Sequence, residues 1–247
     1  MDRLIYTAMT GAKHILEQQA TVSHNLANAS TTGFRAQIDA FRAVPVQGAA
    51  LPTRAFVVDA TTGSDFTPGP LQHTGRELDV ALQGEGWFAV QLADGSEAYT
   101  RHGSLQLSEN GVLQTQSGLP VLGDGGPITV PPESTIEIAR DGTVSAVPTT
   151  SADKNAVNEL GRIRLVNPAP DSLVRGDDGL FRLKGGGEAE VDANVALIGG
   201  ALEGSNVNVV DAMVNMISLA RQFEMHMKLV QNAETNANKA AQLLALS

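Results

Sequence analysis

Apolar residues recur at alternating steps of four and three near the C-terminus. The stepping begins at Val209, just after Asn208, a residue that can cap a helix. A repeat of 3.5 residues keeps one stripe of a helix facing a partner, so the spacing predicts a coiled-coil-type helix. Glu234 is the polar exception; the apolar members are Val209, Met213, Met216, Ala220, Phe223, Met227, Val230, Ala237, Ala241 and Leu244.

The N-terminal residues repeat this spacing and predict a second helix, with Gln19 as the polar exception. Its apolar members are Ile5, Ala8, Ala12, Ile15, Val22 and Leu26. The pattern stops at short polar residues from Asn28 to Thr32, followed by Gly33, which can adopt the left-handed conformation that ends helices. The pattern leaves open whether the two stripes meet within one chain or between copies.

Between these ends the chain is rich in turn residues, since all 11 prolines fall between Pro45 and Pro170. Three hairpin turns are predicted at Asp94-Gly95, Asn110-Gly111 and Asp141-Gly142, and Leu78 to Val90 is a candidate strand. The predicted fold class is therefore α+β, with N- and C-terminal coiled-coil-type helices packed together and flanking a mainly antiparallel β central domain. The predicted divisions are an N-terminal helix in 1–35, an extended linker in 36–70, a β-rich domain in 71–200 and a C-terminal helix in 201–247.

Composition excludes several classes of protein. The chain carries 17 basic and 27 acidic residues, a net charge of -10. This balance argues against binding nucleic acid or anionic lipid, both of which need an excess of lysine and arginine. The central part carries the acidic excess, while both helical ends are nearly neutral. Cysteine is absent, which excludes disulfides, thiolate metal sites and cysteine nucleophiles.

No motif for catalysis or for a cofactor is found. None of the five histidines has metal-ligand spacing with another ligand, and no phosphate-binding glycine-lysine loop is present. His14 and His226 fall off the apolar stripes, so we expect them to face solvent. The sequence predicts no enzyme activity, no cofactor, no metal site and no small-molecule substrate, although a serine triad assembled from distant residues stays open.

Targeting signals are also missing. An acid, Asp2, stands where a secretory signal needs basic residues, and no stretch approaches the length of a membrane span. Taken alone, these features predict a soluble cytoplasmic protein, unless another export route operates.

Three segments spread along the whole chain contain distinctive residues: Asn25, Leu26, Ala27, Asn28, Gly33 and Phe34, then Leu78, Asp79, Val80, Gly84, Gly86 and Phe88, then Ser205, Asn206 and Val207. In their residues and in their order, these segments resemble the motifs of a known family, the rod and hook subunits that form the axis of the bacterial flagellum.

The resemblance implies a structural subunit of the rod, the drive shaft that transmits motor torque to hook and filament. It implies export without a cleaved signal peptide through the flagellar type III apparatus, and assembly in the periplasm as part of the basal body. The implied partners are copies of the chain and other proximal and distal rod proteins. The two apolar stripes then become the assembly interface of an inner domain, and the β-rich domain faces outward.

Residues 1–9 and 221–228 resemble proximal-rod subunits more than distal-rod subunits. A distal-rod subunit is the first alternative, and a periplasmic ligand-binding β domain with a helical clasp is the second.

Overall fold

The computed structural model describes residues 2–45, 55–148 and 157–245. The chain is α+β and divides into two compact units. Unit 1 comprises Met1–Ala29, Ala36–Asp65 and Val207–Ser247, and unit 2 comprises Ser30–Arg35 and Phe66–Asn206.

Unit 1 contains two long helices, α1 (Asp2–Ala27) and α2 (Val209–Ala245), which pack against each other. The predicted cap of α2 is confirmed, because the backbone N–H of Val210 donates to Asn208 Oδ1 over 3.0 Å. Within the described residues, neither helix is apolar enough along its length to cross a bilayer.

The predicted linker at 36–70 contains a β-hairpin, formed by β1 (Gln37–Pro45) and β2 (Ala55–Ser64). Side chains of α1 hold this hairpin. The amide of Asn25 pairs with both backbone groups of Gln37, accepting from its N–H over 2.8 Å and donating to its carbonyl over 2.9 Å. Because the Asn25 side chain replaces water as the hydrogen-bond partner of this backbone, the segment can pack against α1.

His14 does not face solvent as its position off the stripe suggested. Its side chain is 12% exposed and hydrogen-bonds Glu17 over 3.0 Å. Its ring also packs edge-on against the Phe41 ring of β1, with 5.6 Å between ring centroids. The hairpin covers a face of α1 that the helical pattern alone assigned to water.

Unit 2 is built from short antiparallel sheets. The strands are β3 (Leu71–His73), β4 (Val80–Gln83), β5 (Trp87–Gln91), β6 (Glu97–Thr100), β7 (Leu105–Leu107), β8 (Leu113–Thr115), β9 (Leu122–Gly123), β10 (Gly126–Pro127), β11 (Ser134–Ile138), β12 (Thr143–Pro148), β13 (Asn158–Arg162), β14 (Leu165–Val166), β15 (Leu173–Arg175), β16 (Phe181–Leu183), β17 (Ala196–Gly199) and β18 (Ala201–Glu203). The largest sheet has the strand order β14-β5-β6-β16-β15, and a three-stranded sheet has the order β11-β12-β13. Four further pairs among the described strands are β3 with β18, β4 with β17, β7 with β8, and β9 with β10.

The three predicted hairpin turns are confirmed, joining β5 to β6, β7 to β8 and β11 to β12. The candidate strand from Leu78 to Val90 is divided in two, β4 and β5. Gly84 and Gly86 lie between them with φ of 86° and 129°, values outside the extended conformation of a strand. The strand is interrupted there, and β4 pairs with β17 whereas β5 pairs with β6.

The core of unit 2 is aliphatic around Phe88, and its members are almost completely buried: Val80, Leu82, Val90, Leu105, Leu113, Val121, Val144, Ile163, Leu165 and Leu197. A second cluster contains Trp87, Tyr99 and Phe181. Two segments assigned by pattern to the helical ends also belong to this unit. Residues 30–35 follow the end of α1, and 201–206 precede α2.

Candidate assembly interface

The predicted stripe of α1 faces inward along its length. Ala8, Ala12 and Ile15 are buried. Ile5, Val22 and Leu26 are half-buried. Small side chains at the middle of this stripe allow a close approach of the helices, and Gly11 beside it lies against the His226 ring of α2. The stripe of α1 is therefore used within the single chain.

The single chain buries a different stripe of α2 from the one predicted. Ala212 and Leu219 are buried. The inward stripe consists of Ala212, Met216, Leu219, Phe223, His226, Val230 and Ala233. Both stripes follow the 3.5-residue spacing but start at different residues. They therefore share only every second position, namely Met216, Phe223 and Val230.

The other predicted members of the α2 stripe are less covered. Val209, Met213 and Met227 are exposed, and Ala220 is half-buried. The side chains of Ala237, Ala241 and Leu244 lie outside the described part of the chain. His226, which the pattern assigned to solvent, is half-buried, and its Nδ1 atom is buried. Its place in the inward stripe explains this difference.

An exposed apolar face runs along the first half of α2. Val210, Met213, Val214 and Ile217 are exposed to between 50% and 68%. Their spacing of three, four and seven residues places them on one face, about half a turn from the buried stripe. Tyr6, Met9 and Leu16 on α1 are likewise exposed. Contiguous apolar surface of this kind marks sites of protein association.

The first family motif contributes to both units. In unit 1 Asn25 holds the β1–β2 hairpin, and Asn28 donates its side-chain amide to the His24 carbonyl over 2.9 Å at the end of α1. In unit 2 Phe34 is buried under the Arg175 guanidinium, 4.5 Å from its ring centroid. Burial lowers the pKa of Arg175, which also donates to the Arg35 carbonyl over 2.8 Å.

The second motif supports the fold of unit 2. Asp79 is buried and accepts a hydrogen bond from Ser104 Oγ over 3.0 Å. Val80 and Phe88 lie in the core, whereas Leu78 is half-buried beside it. The carbonyl of Gly84 accepts from Arg101 over 2.8 Å, and Gly86 leaves no room for a side chain against Val195.

The third motif lies close to the first in space. Ser205 is buried, and the backbone N–H of Asn206 donates to the Phe34 carbonyl over 3.4 Å. Val207, already in unit 1, is half-buried. The three motifs thus maintain the backbone geometry of the fold. Among the described residues, no group of three His, Asp or Glu side chains could hold a metal ion.

Sequence reasoning assigned no role to three charged residues that the structure brings together in unit 2. Glu203 lies between Arg35, at 2.7 Å, and Arg101, at 2.9 Å, and all three side chains are at most 3% exposed. Burial lowers the pKa of Arg101, and the Glu203 carboxylate opposes that shift. The only signal in the sequence is a charge inside otherwise small or apolar segments, Phe34-Arg35-Ala36 and Leu202-Glu203-Gly204.

Three family models match the chain. They describe flagella basal body rod protein (residues 5–35), flagellar hook protein FlgE/F/G D1 domain (81–146) and flagellar basal body rod FlgEFG protein C-terminal (198–243). Curated relatives named flagellar basal-body rod protein FlgF, from Escherichia coli and Salmonella typhimurium, are each 51% identical, with 100% of both chains covered. The chain belongs to the flagellar rod-protein family.

A second branch of the family is more distant. A flagellar basal-body rod protein FlgG from Buchnera aphidicola is 33% identical, covering 90% of this chain and 92% of its own. Within this rod protein, the C-terminal family model begins in β17 and so includes Glu203 as well as α2. The N-terminal model includes α1 together with residues 30–35 of unit 2.

Proposed function

We propose that this rod protein is a subunit of the proximal rod and polymerises through its terminal helices to transmit motor torque to hook and filament. The observation that carries the proposal is the exposed face of Val210, Met213, Val214 and Ile217 on α2. It lies opposite the stripe that the chain buries internally, and it occurs in a chain that matches a rod protein along the whole alignment. The 51% identity to FlgF of Escherichia coli and Salmonella typhimurium, against 33% to FlgG of Buchnera aphidicola, supports the proximal rather than the distal position.

Burial of this face gives the driving force for assembly. Complete burial of an aliphatic or methionine side chain stabilises by about 1.5–3 kcal/mol, and each of these four is at least half exposed in the single chain. The inner assembly domain then uses two layers of contact. Ala8, Ala12 and Ile15 pack within the subunit, and Met213, Ala220 and Met227 extend the α2 face toward neighbouring subunits.

Charge favours the same arrangement, with unit 2 outward. Basic side chains on this unit are engaged by its own groups: Arg182 pairs with Asp178, Arg140 donates to Gln83, and Lys184 donates to the Asp171 carbonyl. Acidic side chains such as Glu109 and Glu133 are exposed. The nearly neutral helices can approach one another without the repulsion that the acidic unit would cause.

The proposal places the protein in the periplasmic part of the basal body, after export by the flagellar type III apparatus without a cleaved signal. Its partners are other rod subunits and that apparatus. It requires no catalysis, cofactor, nucleic acid or small-molecule substrate. A chain without cysteine suits this route, because it cannot form wrong disulfides in an oxidising compartment.

Electron microscopy of basal bodies from a strain lacking only this gene tests the rod function. We expect absent or truncated rods, restored by the wild-type gene, with a short stub indicating a proximal position. Complete basal bodies in the deletion strain would refute the function, and a stub that already includes most of the rod would indicate the distal alternative.

Two substitutions in the same strain test the assembly surface. Ile217→Asp and Ala220→Asp each place a charge on the α2 face, and a buried charge without a partner prevents close packing. We expect no rods, with normal amounts of folded protein. Asn215→Asp adds the same charge at an exposed polar position of α2 and should restore rods. Normal rods with Ile217→Asp would show that this face is not the interface.

A further inference from the structure

Unit 2 has four chain ends, because it consists of two separate segments, Ser30–Arg35 and Phe66–Asn206. Each of these ends continues covalently into unit 1. The groups that fasten these ends inside unit 2 fix where the chain enters and leaves the unit.

Glu203, three residues before the Asn206 end, contacts the segments near the Arg35 and Phe66 ends. Its Oε1 atom lies 2.7 Å from Arg35 and accepts the backbone N–H of Gly69 over 2.8 Å. Its own carbonyl accepts the N–H of Gly33 over 2.8 Å. Its Oε2 atom accepts from Arg101 over 2.9 Å, which anchors the carboxylate to the core side of unit 2.

Asn206, the last residue of unit 2, belongs to the same junction. Its backbone N–H donates to the Phe34 carbonyl over 3.4 Å, and its side chain donates to the Thr67 carbonyl over 3.0 Å. Residues 33–35, 67–69 and 203–206 are thus joined by hydrogen bonds and one ionic cluster. Contacts within unit 2 account for all of them.

Removing one partner from a buried ion pair is strongly destabilising, because it leaves the other charge buried without compensation. Glu203 and its arginines are therefore costly to separate. Gly33 lies close to the same cluster. Its φ is 70°, and a Cβ there would lie 2.5 Å from the backbone of Arg101, so position 33 requires glycine.

We propose that Glu203 is the positioning residue that holds residues 33–35, 67–69 and 203–206 of unit 2 in one arrangement, with Arg35 as its partner on the N-terminal segment. The role in assembly rests on the proposed rod function. Loss of this junction lets the chain ends separate from unit 2 while the β core stays folded.

Hydrogen–deuterium exchange of the full-length chain, read peptide by peptide by mass spectrometry, tests the junction. Arg35→Met is the decisive variant, since the remaining ion pair of Glu203 and Arg101 carries no net charge. We expect amides of residues 30–35 and 203–206 to exchange faster by about a hundredfold, while those of β5 and β6 keep their rates. Glu203→Gln should add faster exchange around Gly69.

Asp178→Asn is the matched control, because it breaks an exposed ion pair with Arg182 in the same unit. Its exchange at the chain ends should equal that of the wild type. Unchanged exchange in Arg35→Met would overturn the proposal, and so would a uniform increase that includes β5 and β6. If Glu203→Gln fails to fold, Arg35→Met alone decides.

Complementation separates this inference from the rod function. Arg35→Met should give fewer or broken rods at normal protein levels, and Asp178→Asn normal rods. Normal rods with Arg35→Met would refute the role in assembly while leaving the rod function intact. Complete rods in the deletion strain would refute the rod function, and the exchange result would still decide whether Glu203 holds the ends.

Discussion

The two units differ in how completely they bury their apolar side chains. In unit 2, Phe88, Leu105, Leu113 and Ile163 are at most 1% exposed and form one continuous core. In unit 1, the buried side chains of the described helices are mostly small, and α2 leaves Val210 68% exposed and Val214 59% exposed.

This difference indicates two sources of stability. Unit 2 removes its apolar surface from water with its own strands, so one chain is sufficient to stabilise it. Unit 1 leaves several large apolar side chains of its helices exposed, and in the proposed function another subunit covers them. Substitutions in the two units should therefore affect different measurements, stability of the single chain for unit 2 and assembly for unit 1.

The largest effect on the single chain is expected from Gly103→Ala in unit 2. An added Cβ would lie 1.7 Å from the Val80 carbonyl oxygen, which is backbone and cannot move away alone. We expect a loss of more than about 4 kcal/mol in the free energy of unfolding, measured in urea by the fluorescence of Trp87, the single tryptophan. Gly125→Ala, which faces open space, should change stability by less than about 0.5 kcal/mol. Equal effects of the two would contradict the packing described for Gly103.

The same substitution in both units sharpens the comparison. Leu113 is completely buried and Leu229 is 50% exposed. Leu113→Ala should cost about 2–5 kcal/mol, because it removes apolar contacts and leaves a cavity. Leu229→Ala should cost less than about 0.5 kcal/mol. Urea unfolding followed by both Trp87 fluorescence and far-ultraviolet circular dichroism measures the two, and a large loss with Leu229→Ala would mean that α2 is already fully packed in the single chain.

A smaller effect is expected where the two helices touch. A Cβ at Gly11 would lie 2.6 Å from the His226 ring, the end of a side chain that can move. Alanine is favoured over glycine inside a helix by about 1 kcal/mol. Gly11→Ala should therefore stabilise the chain by about that amount in a His226→Ala background, and gain little or nothing with His226 present. Thermal unfolding followed by circular dichroism completes this double-mutant cycle, and additive effects would argue against the contact.

The most subtle effect depends on pH and concerns unit 2. Glu97 is 3% exposed with Arg164 at 3.6 Å, and burial raises the pKa of its carboxyl above the ordinary 4.5, an effect that Arg164 partly offsets. A folded-state pKa above the unfolded one contributes stability that is complete below the unfolded pKa and is lost as the pH rises through the folded pKa. Glu97→Gln should therefore be more stable than the wild type at pH near 7 and equal to it below 4.5.

Urea titrations at a series of pH values measure this difference. Arg182, whose pKa rises through its hydrogen bond to Asp178, provides an exposed comparison in the same unit. Asp178→Asn should show the opposite pH dependence, because Arg182 holds the pKa of Asp178 low. This variant should be less stable than the wild type only at pH values above the ordinary aspartate pKa. A Glu97→Gln difference that is constant with pH would refute the role of the buried charge.

Local patterns were sufficient to predict several features of this chain. The spacing of apolar residues alone predicts the stripe from Ile5 to Leu26. The polar residues that follow it predict where α1 ends. The turn at Asn110-Gly111 needed only two residues, since Gly111 takes a φ of 76° that favours glycine. The α+β class and the family resemblance also rest on such short segments.

Other features were decided by contacts between distant residues. On α2, the apolar side chains form two overlapping stripes that share Met216, Phe223 and Val230, and contact with α1 determines which stripe is buried. The β1–β2 hairpin replaces a predicted linker because the Asn25 amide pairs with the Gln37 backbone. Arg101 and Glu203 are 102 residues apart, and no local propensity relates them. Sequence periodicity specifies which faces are apolar, and the tertiary structure decides which of them is buried, because burial depends on the free energy of contacts that only the complete fold brings together.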